Sequence, residues 1–352
     1  MKKIQLKRRK KEVAEEAPSR ITNETVAEHR EQVLAGGRRF KYPRQYARHK
    51  LVINAILISL VTLVVVVAIA WWRLYPAQTT STFFYRLTRI VPVPVASVDG
   101  TNVRYSDYLM RLTPSIRYLE DTERINLDTE DGKRQIEFYK RKALDSAIAD
   151  TYAEALAKQK KIVVDDTKVQ ATIEQMLNTA SGRITEEVYN ASTYEIYGYS
   201  PEEYREILHQ SLIRQEVAYA IDTKAIATKK LAQSLMLKKK YALSELAKQL
   251  QKKGHTVQVG TSGLVPKSNH HGGLSAAALK LQTGKTSGFI RSTTGDGYYL
   301  VQLVSQSDTQ LNYNYLRIPL TEFDAQLKSV IKNDKVHEYI KVEKAASEVI
   351  RR

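Results

Sequence analysis

Apolar positions along this chain follow three different periods, and each predicts a different structure. From Leu51 to Trp72 the run LVINAILISLVTLVVVVAIAWW is apolar on every side and carries no charge over 22 residues. As a helix it would be about 33 Å long, against roughly 30 Å of bilayer hydrocarbon. Trp71, Trp72 and Tyr75 stand at its end, where ring systems with a polar edge favour the headgroup zone. The pattern predicts one transmembrane helix.

Beyond it the period becomes helical. PAQTTSTFF (76–84) is too polar for either pattern and reads as part of a tether over 73–90. VPVPVASVDGTNVRYSDYLMRL (91–112) predicts a short strand, a tight Asp99-Gly100 turn, a return strand through Val103 and Tyr105, and a helix from Asp107 capped by Ser106. In 132–160, Ile136, Tyr139, Ala143, Leu144, Ala147, Ile148 and Tyr152 recur at three- and four-residue spacing, the signature of an amphipathic helix. Asp165 or Asp166 opens the next helix. GYSPEEYREIL carries a complete start signal, with Ser200 at the N-cap, Pro201 at N1 and Glu203 at N3. A Lys-rich helix follows over 224–240.

Near the end the period shortens to two. Asp296-Gly297 supplies a turn, and YYLVQLV alternates as a strand. NYNYLRIPLTEFDAQLKSV (312–330) predicts a further strand over 313–318, then a helix with Thr321 at its N-cap. The fold class is therefore α+β and mainly helical, with a single membrane helix, a helical module and a small α/β domain. The expected division is 1–50 basic cytoplasmic tail, 51–72 signal anchor, 73–90 tether, 91–240 helical module, 241–340 α/β domain and 341–352 tail.

Charge orients the span. Residues 1–50 hold 15 Lys/Arg against 6 Asp/Glu, with KRRKK at 7–11. The positive-inside rule puts this tail in the cytoplasm and everything from about 76 onward outside the cell membrane. The net charge of +17 invites a nucleic-acid reading, but more than half of it lies in the tail, which has no nucleic-acid fold motif, so no specific nucleic acid is expected. Basic residues there serve topology and contact with anionic lipid of the bilayer. The absence of cysteine excludes disulfides and thiolate chemistry.

The order of elements over 91–221, with AKQKKIVVDD and SPEEYREILHQSLIRQEV as its distinctive pieces, resembles the N-terminal chaperone module of SurA/PrsA-type extracytoplasmic foldases. SELAKQL, SGLVP, AAALKLQTGKTSGFI and DGYYLVQLV, over about 244–304, resemble the second half of a parvulin-type peptidyl-prolyl isomerase domain. The resemblance implies partners that are unfolded or newly exported polypeptides, held outside the membrane without ATP, and no cofactor.

It also exposes departures. The strand that opens a parvulin is missing before SELAKQL, and 313–318 with its following helix is expected to replace it from the other end of the chain. The family's methionine falls near His270, its phenylalanine on Leu274, and its last-strand histidine on Tyr299. No catalytic residue is therefore assigned, and Leu274, Phe289, Tyr298 and Tyr299 are the candidates for a residual groove. One alternative is an active isomerase with a rewired site, Tyr299 acting as donor. Another is a structural envelope protein that holds a membrane partner.

Two other features have plainer readings. His270-His271 lacks a third ligand at metal spacing and reads as a solvated loop. TGKTSG (283–288) lacks the first glycine of a phosphate loop, because Leu279 stands there.

Overall fold

Asp99 and Gly100 both adopt positive φ, +45° and +81°, and so close the tight turn between two short strands; the same economy of local signals builds much of the chain. The computed structural model describes residues 22–41, 43–179, 182–239, 241–269 and 271–343. Contacts divide the chain into two units, Met1–Trp71 and Trp72–Arg352.

The first unit contains helix α1 (Asn23–Lys41) and most of α2 (Pro43–Leu74). Within α2, His49–Leu74 is long and apolar enough to cross a membrane; its most apolar 18-residue window has a mean hydropathy of 3.0 and is unburied by protein.

The second unit runs α3 (Thr82–Ile90), β1 (Pro94–Val98), β2 (Thr101–Arg104), α4 (Tyr105–Arg117), α5 (Glu130–Lys160), α6 (Asp166–Met176), the small hairpin β3 (Asn178–Thr179) and β4 (Gly182–Arg183), α7 (Glu186–Tyr197) and α8 (Pro201–Ile221). It continues with α9 (Thr223–Lys238), α10 (Leu243–Lys252), β5 (Gln258–Thr261), β6 (Val265–Pro266), α11 (Leu274–Ala278), β7 (Ile290–Arg291), β8 (Gly297–Gln306), β9 (Gln310–Pro319), α12 (Glu322–Lys332) and β10 (Val336–Glu338).

Several starts follow the local code. Ser200 Oγ accepts from the Glu203 amide at 3.3 Å while Glu203 Oε2 accepts from the Ser200 amide at 2.9 Å, a full capping box on α8. Asp165 caps α6 through Lys168 N at 3.0 Å. Two starts differ from the sequence pattern. Helix α4 begins at Tyr105 rather than Asp107, and Ser106 does not cap it, because it stands inside the first turn with Arg104 in the N-cap position. The expected tether is folded over 82–90, where Ser81 caps α3 and Thr88 is buried.

The core of the helical module gathers Val95 and Val98 of β1, Tyr105, Tyr108, Leu109 and Leu112 of α4, Leu144, Ala147 and Ile148 of α5, and Val217 of α8. It also takes in Phe323 of α12, Ile340 and Val342. The last strand, β10, pairs antiparallel with β1, Ala96 opposite Glu338 and Val98 opposite Val336, giving the sheet order β10-β1-β2. The module expected over 91–240 thus includes the chain's return over 322–342, because β1 has a free edge and an apolar face to cover. Arg141 fixes the closure through Glu338 at 3.0 Å.

The second sheet has the order β5-β9-β8-β7, with β6 also on β9. Residues 313–318 pair with β8 from Leu303 opposite Tyr313 to Tyr298 opposite Ile318, so this strand, part of β9, does fill the middle of this sheet. Its following helix does not: α12 packs into the module core instead.

Candidate functional site

Tyr298 and Tyr299 are neighbours on β8 and therefore face opposite sides of the sheet. Tyr298 packs beneath α9 and α10, its ring 5.0 Å from that of Tyr219, with Lys229 Nζ 4.7 Å above it. Phe289 is half-buried against the same cluster. Leu274 and Tyr299 lie together on the other face with Val301, Leu303 and Tyr313. The structure thus brings Leu274 and Tyr299 together and separates them from Tyr298 and Phe289. His270 lies outside the described residues.

Tyr299 is only 7% exposed, and its hydroxyl donates to Asp296 Oδ2 at 2.6 Å. Asp296 also accepts from Thr294 Oγ1 at 2.8 Å and pairs with Arg317 at 3.1 Å. Burial pushes the Asp296 carboxyl up, but the hydrogen bonds and Arg317 more than offset it and leave it below the usual range. Burial, then the bond to Asp296, raises the Tyr299 phenol. The one proton of this phenol is committed to a carboxylate, which removes it as a donor to a twisted amide.

A different concavity lies between α3, α4 and the α7–α8 junction, a cleft of about 260 Å³ lined by Tyr85, Leu109, Met110, Pro114, Arg117, Tyr194, Tyr197 and Tyr199. Gly198 makes it possible. Its φ of +75° ends α7, and a Cβ there would stand 2.7 Å from Arg117 Nη1. Arg117 can therefore lie against the junction, 5.6 Å over the Tyr194 ring. Tyr199 donates to Met110 O at 3.1 Å, which fixes the floor. Tyr118 stacks on Tyr197 at 6.2 Å, Tyr197 meets Tyr199 at 6.1 Å, and Tyr199 meets Tyr204 at 6.3 Å, so the aromatic surface is continuous.

Tyr194 and Tyr197 remain 58% and 41% exposed. Burial pushes the Tyr199 phenol up to about 12 and raises that of Tyr85, where Glu203 adds to the effect. The Thr113 hydroxyl in the wall has no hydrogen-bond partner among the described residues. Rigid rings with hydroxyl tips bury apolar side chains of many shapes at low entropic cost while still meeting a peptide's polar groups. The sequence signal for this cleft was YEIYGYSPEEY, which is dense in tyrosine but says nothing of what packs against it.

A larger crevice of about 460 Å³ separates α6 and α8 from the 293–296 turn and α12. Leu208, Leu212, Met176 and Phe323 line it beside Arg214, Gln215, Arg317 and Asp324. Gln215 Nε2 donates to Thr293 O at 2.8 Å and Tyr219 donates to Gly297 O at 2.6 Å, tying the turn to α8. Behind it, Asp150 of α5 is 3% exposed and forms ion pairs with Arg111 of α4 and, at 3.1 Å, with Arg214 of α8. This staple holds the three helices that both concavities rest on.

A family model described as SurA-like N-terminal domain matches residues 43–218. No curated protein and no solved structure matches the chain. The matched segment contains every residue lining the tyrosine cleft and stops short of Leu274, Phe289, Tyr298 and Tyr299.

Proposed function

Because the chain belongs to the family of SurA-like N-terminal domains, a chaperone-like module, we propose that it is a membrane-anchored holding chaperone for unfolded, newly exported polypeptides. The tyrosine cleft carries this reading. It is an open aromatic surface inside the family segment, with Arg117 and Glu203 at its margin to meet polar groups of an extended chain. Binding draws on burial of apolar client surface and requires no nucleotide.

His49–Leu74 anchors the protein in the cell membrane, and the basic segment before it keeps the N-terminus in the cytoplasm. The folded part then works on the outer side, where clients emerge. The sheet that carries Tyr299 is a degenerate parvulin-like scaffold; its hydroxyl is engaged by Asp296, which favours holding over prolyl isomerisation.

The test uses the full chain in lipid nanodiscs and an aggregation-prone client diluted from denaturant. Suppression of aggregation at near-stoichiometric ratios is expected, together with weaker suppression by Tyr194→Ser/Tyr197→Ser. Full suppression by that double variant would remove the cleft from the mechanism.

A further inference from the structure

Helix α3 is buried on one side and bare on the other. Phe84 and Tyr85 pack against the module core and Thr88 is fully buried. Outward, Phe83 is 68% exposed and Ile90 82%, with the exposed Arg86 between them and Val91, 51% exposed, just beyond. Positions 83, 86 and 90 form one stripe at i, i+3 and i+7. The two arginines of this helix differ. Arg89 is paired with Glu206 at 3.0 Å and Glu203 at 3.8 Å, whereas Arg86 has no ion-pair partner among the described residues.

What covers this stripe follows from where the helix is held. Its N-cap Ser81 comes seven residues after Leu74, the last residue of the apolar helix. Those residues do not reach outward. Ala77 N donates to Trp72 O and Thr79 N to Arg73 O, both at 3.0 Å, so the chain folds back over the helix end. Leu74 is 3% exposed in the same core cluster that packs Phe84 and Tyr85, and Tyr105 donates its hydroxyl to Leu74 O at 2.7 Å. Leu74 and α3 thus share one packed core.

We infer that the Phe83–Arg86–Ile90 face of α3 is an interfacial contact with the lipid bilayer, in addition to the transmembrane helix; this rests on the anchored reading above. Phenyl and sec-butyl side chains gain from the acyl boundary what water does not offer them, and a free guanidinium between them matches lipid phosphate geometry. Trp72 beside Arg73 marks the headgroup level at the end of the span. A short amphipathic helix so close in sequence to the apolar run gives the folded part a second lipid contact. Arg86 stands where this stripe meets the rim of the tyrosine cleft, while Tyr85 of the same helix lines the cleft itself.

The chain has no cysteine, so Ile90→Cys gives a unique attachment point for a polarity-sensitive fluorophore. Asp308→Cys, in the exposed β8–β9 turn, serves as the water-facing reference. In full-length chains in nanodiscs of neutral lipid with an anionic fraction, the probe at 90 should emit to the blue, be quenched by shallow lipid-borne quenchers and resist iodide several-fold better than the probe at 308. Adding Phe83→Ser should weaken that protection. Equal iodide access at the two positions overturns the inference, and so does protection from iodide without quenching by lipid, which would mean a protein cover. Flotation with liposomes reports the anchor separately: a chain that floats with an unprotected position 90 refutes only the α3 contact, and one that fails to float refutes both.

Discussion

The Oδ2 atom of Asp222 lies 2.6 Å from the backbone nitrogen of Thr321, and 3.1 Å from that of Glu322. Its Oδ1 atom meanwhile accepts from the Ala225 amide at 2.8 Å. One carboxylate, 1% exposed, therefore caps the starts of α9 and α12 at once. Thr321, in the N-cap position, makes no side-chain cap of its own. This is where the helical module hands the chain to the sheet and receives it back.

Replacing Asp222 should therefore cost more than one ordinary cap. Asp222→Ala is expected to lose about 1–4 kcal/mol of unfolding free energy, twice the range of a single N-cap, and Asp222→Asn less because one acceptor survives. Denaturant titration followed by circular dichroism checks this. A loss no larger than a single cap would mean one of the two helices starts equally well alone.

Tyr299→Phe removes a hydrogen bond to a carboxylate, worth about 1.5–3 kcal/mol. The expected outcome is lower stability with unchanged client holding and no isomerisation of proline tetrapeptides that depends on residue 299. A fall in isomerase turnover with stability intact would favour the rewired enzyme.

The buried phenols set the alkaline limit. Burial raises Tyr199 and Tyr219 to about 12, against the partial counterpull of Arg111 and Arg291 respectively. An unfolded tyrosine ionises near about 10, so the folded state holds these protons where the unfolded state has lost them. Their contribution is intact below pH about 10 and lost as pH rises toward about 12. Absorbance titration at tyrosinate wavelengths should show these phenols silent at pH about 10 and appearing together with unfolding. Early, reversible ionisation of all tyrosines would contradict it.

Cutting the chain after Pro319 should leave β1 with a bare edge and remove Phe323, Ile340 and Val342 from the module core. Amide exchange in β1 and α4 of the full-length frame is expected to accelerate sharply. Unchanged protection there would mean the return segment is only an ornament on a finished module.

The sequence signals that worked were local: the uncharged apolar run, Asp99-Gly100, the Ser200–Glu203 box, and the alternation at 298–304. Each is decided by residues a few positions apart. What escaped were decisions made across the chain. Nothing near Thr321 announces that Asp222 will cap its helix, and nothing near Val336 says which strand it will join. The polar run before Thr82 hid α3, whose helix is secured mainly by packing of Phe84, Tyr85 and Thr88. The four groove candidates were chosen by position in a resemblance, and the pleat of β8 then divided them between two faces.

The pairing of β1 with β10 also sets a clock. Tyr339 donates to Ser97 across 242 residues of chain at 3.2 Å, beside strands that belong to the same small sheet. During synthesis at about 5–20 residues per second, β1 waits roughly ten to fifty seconds for its partner. Throughout that interval the first-made half of the protein presents an open strand edge and an uncovered apolar face. A chain that carries a chaperone-like module thus spends its own first moments as an unfinished polypeptide.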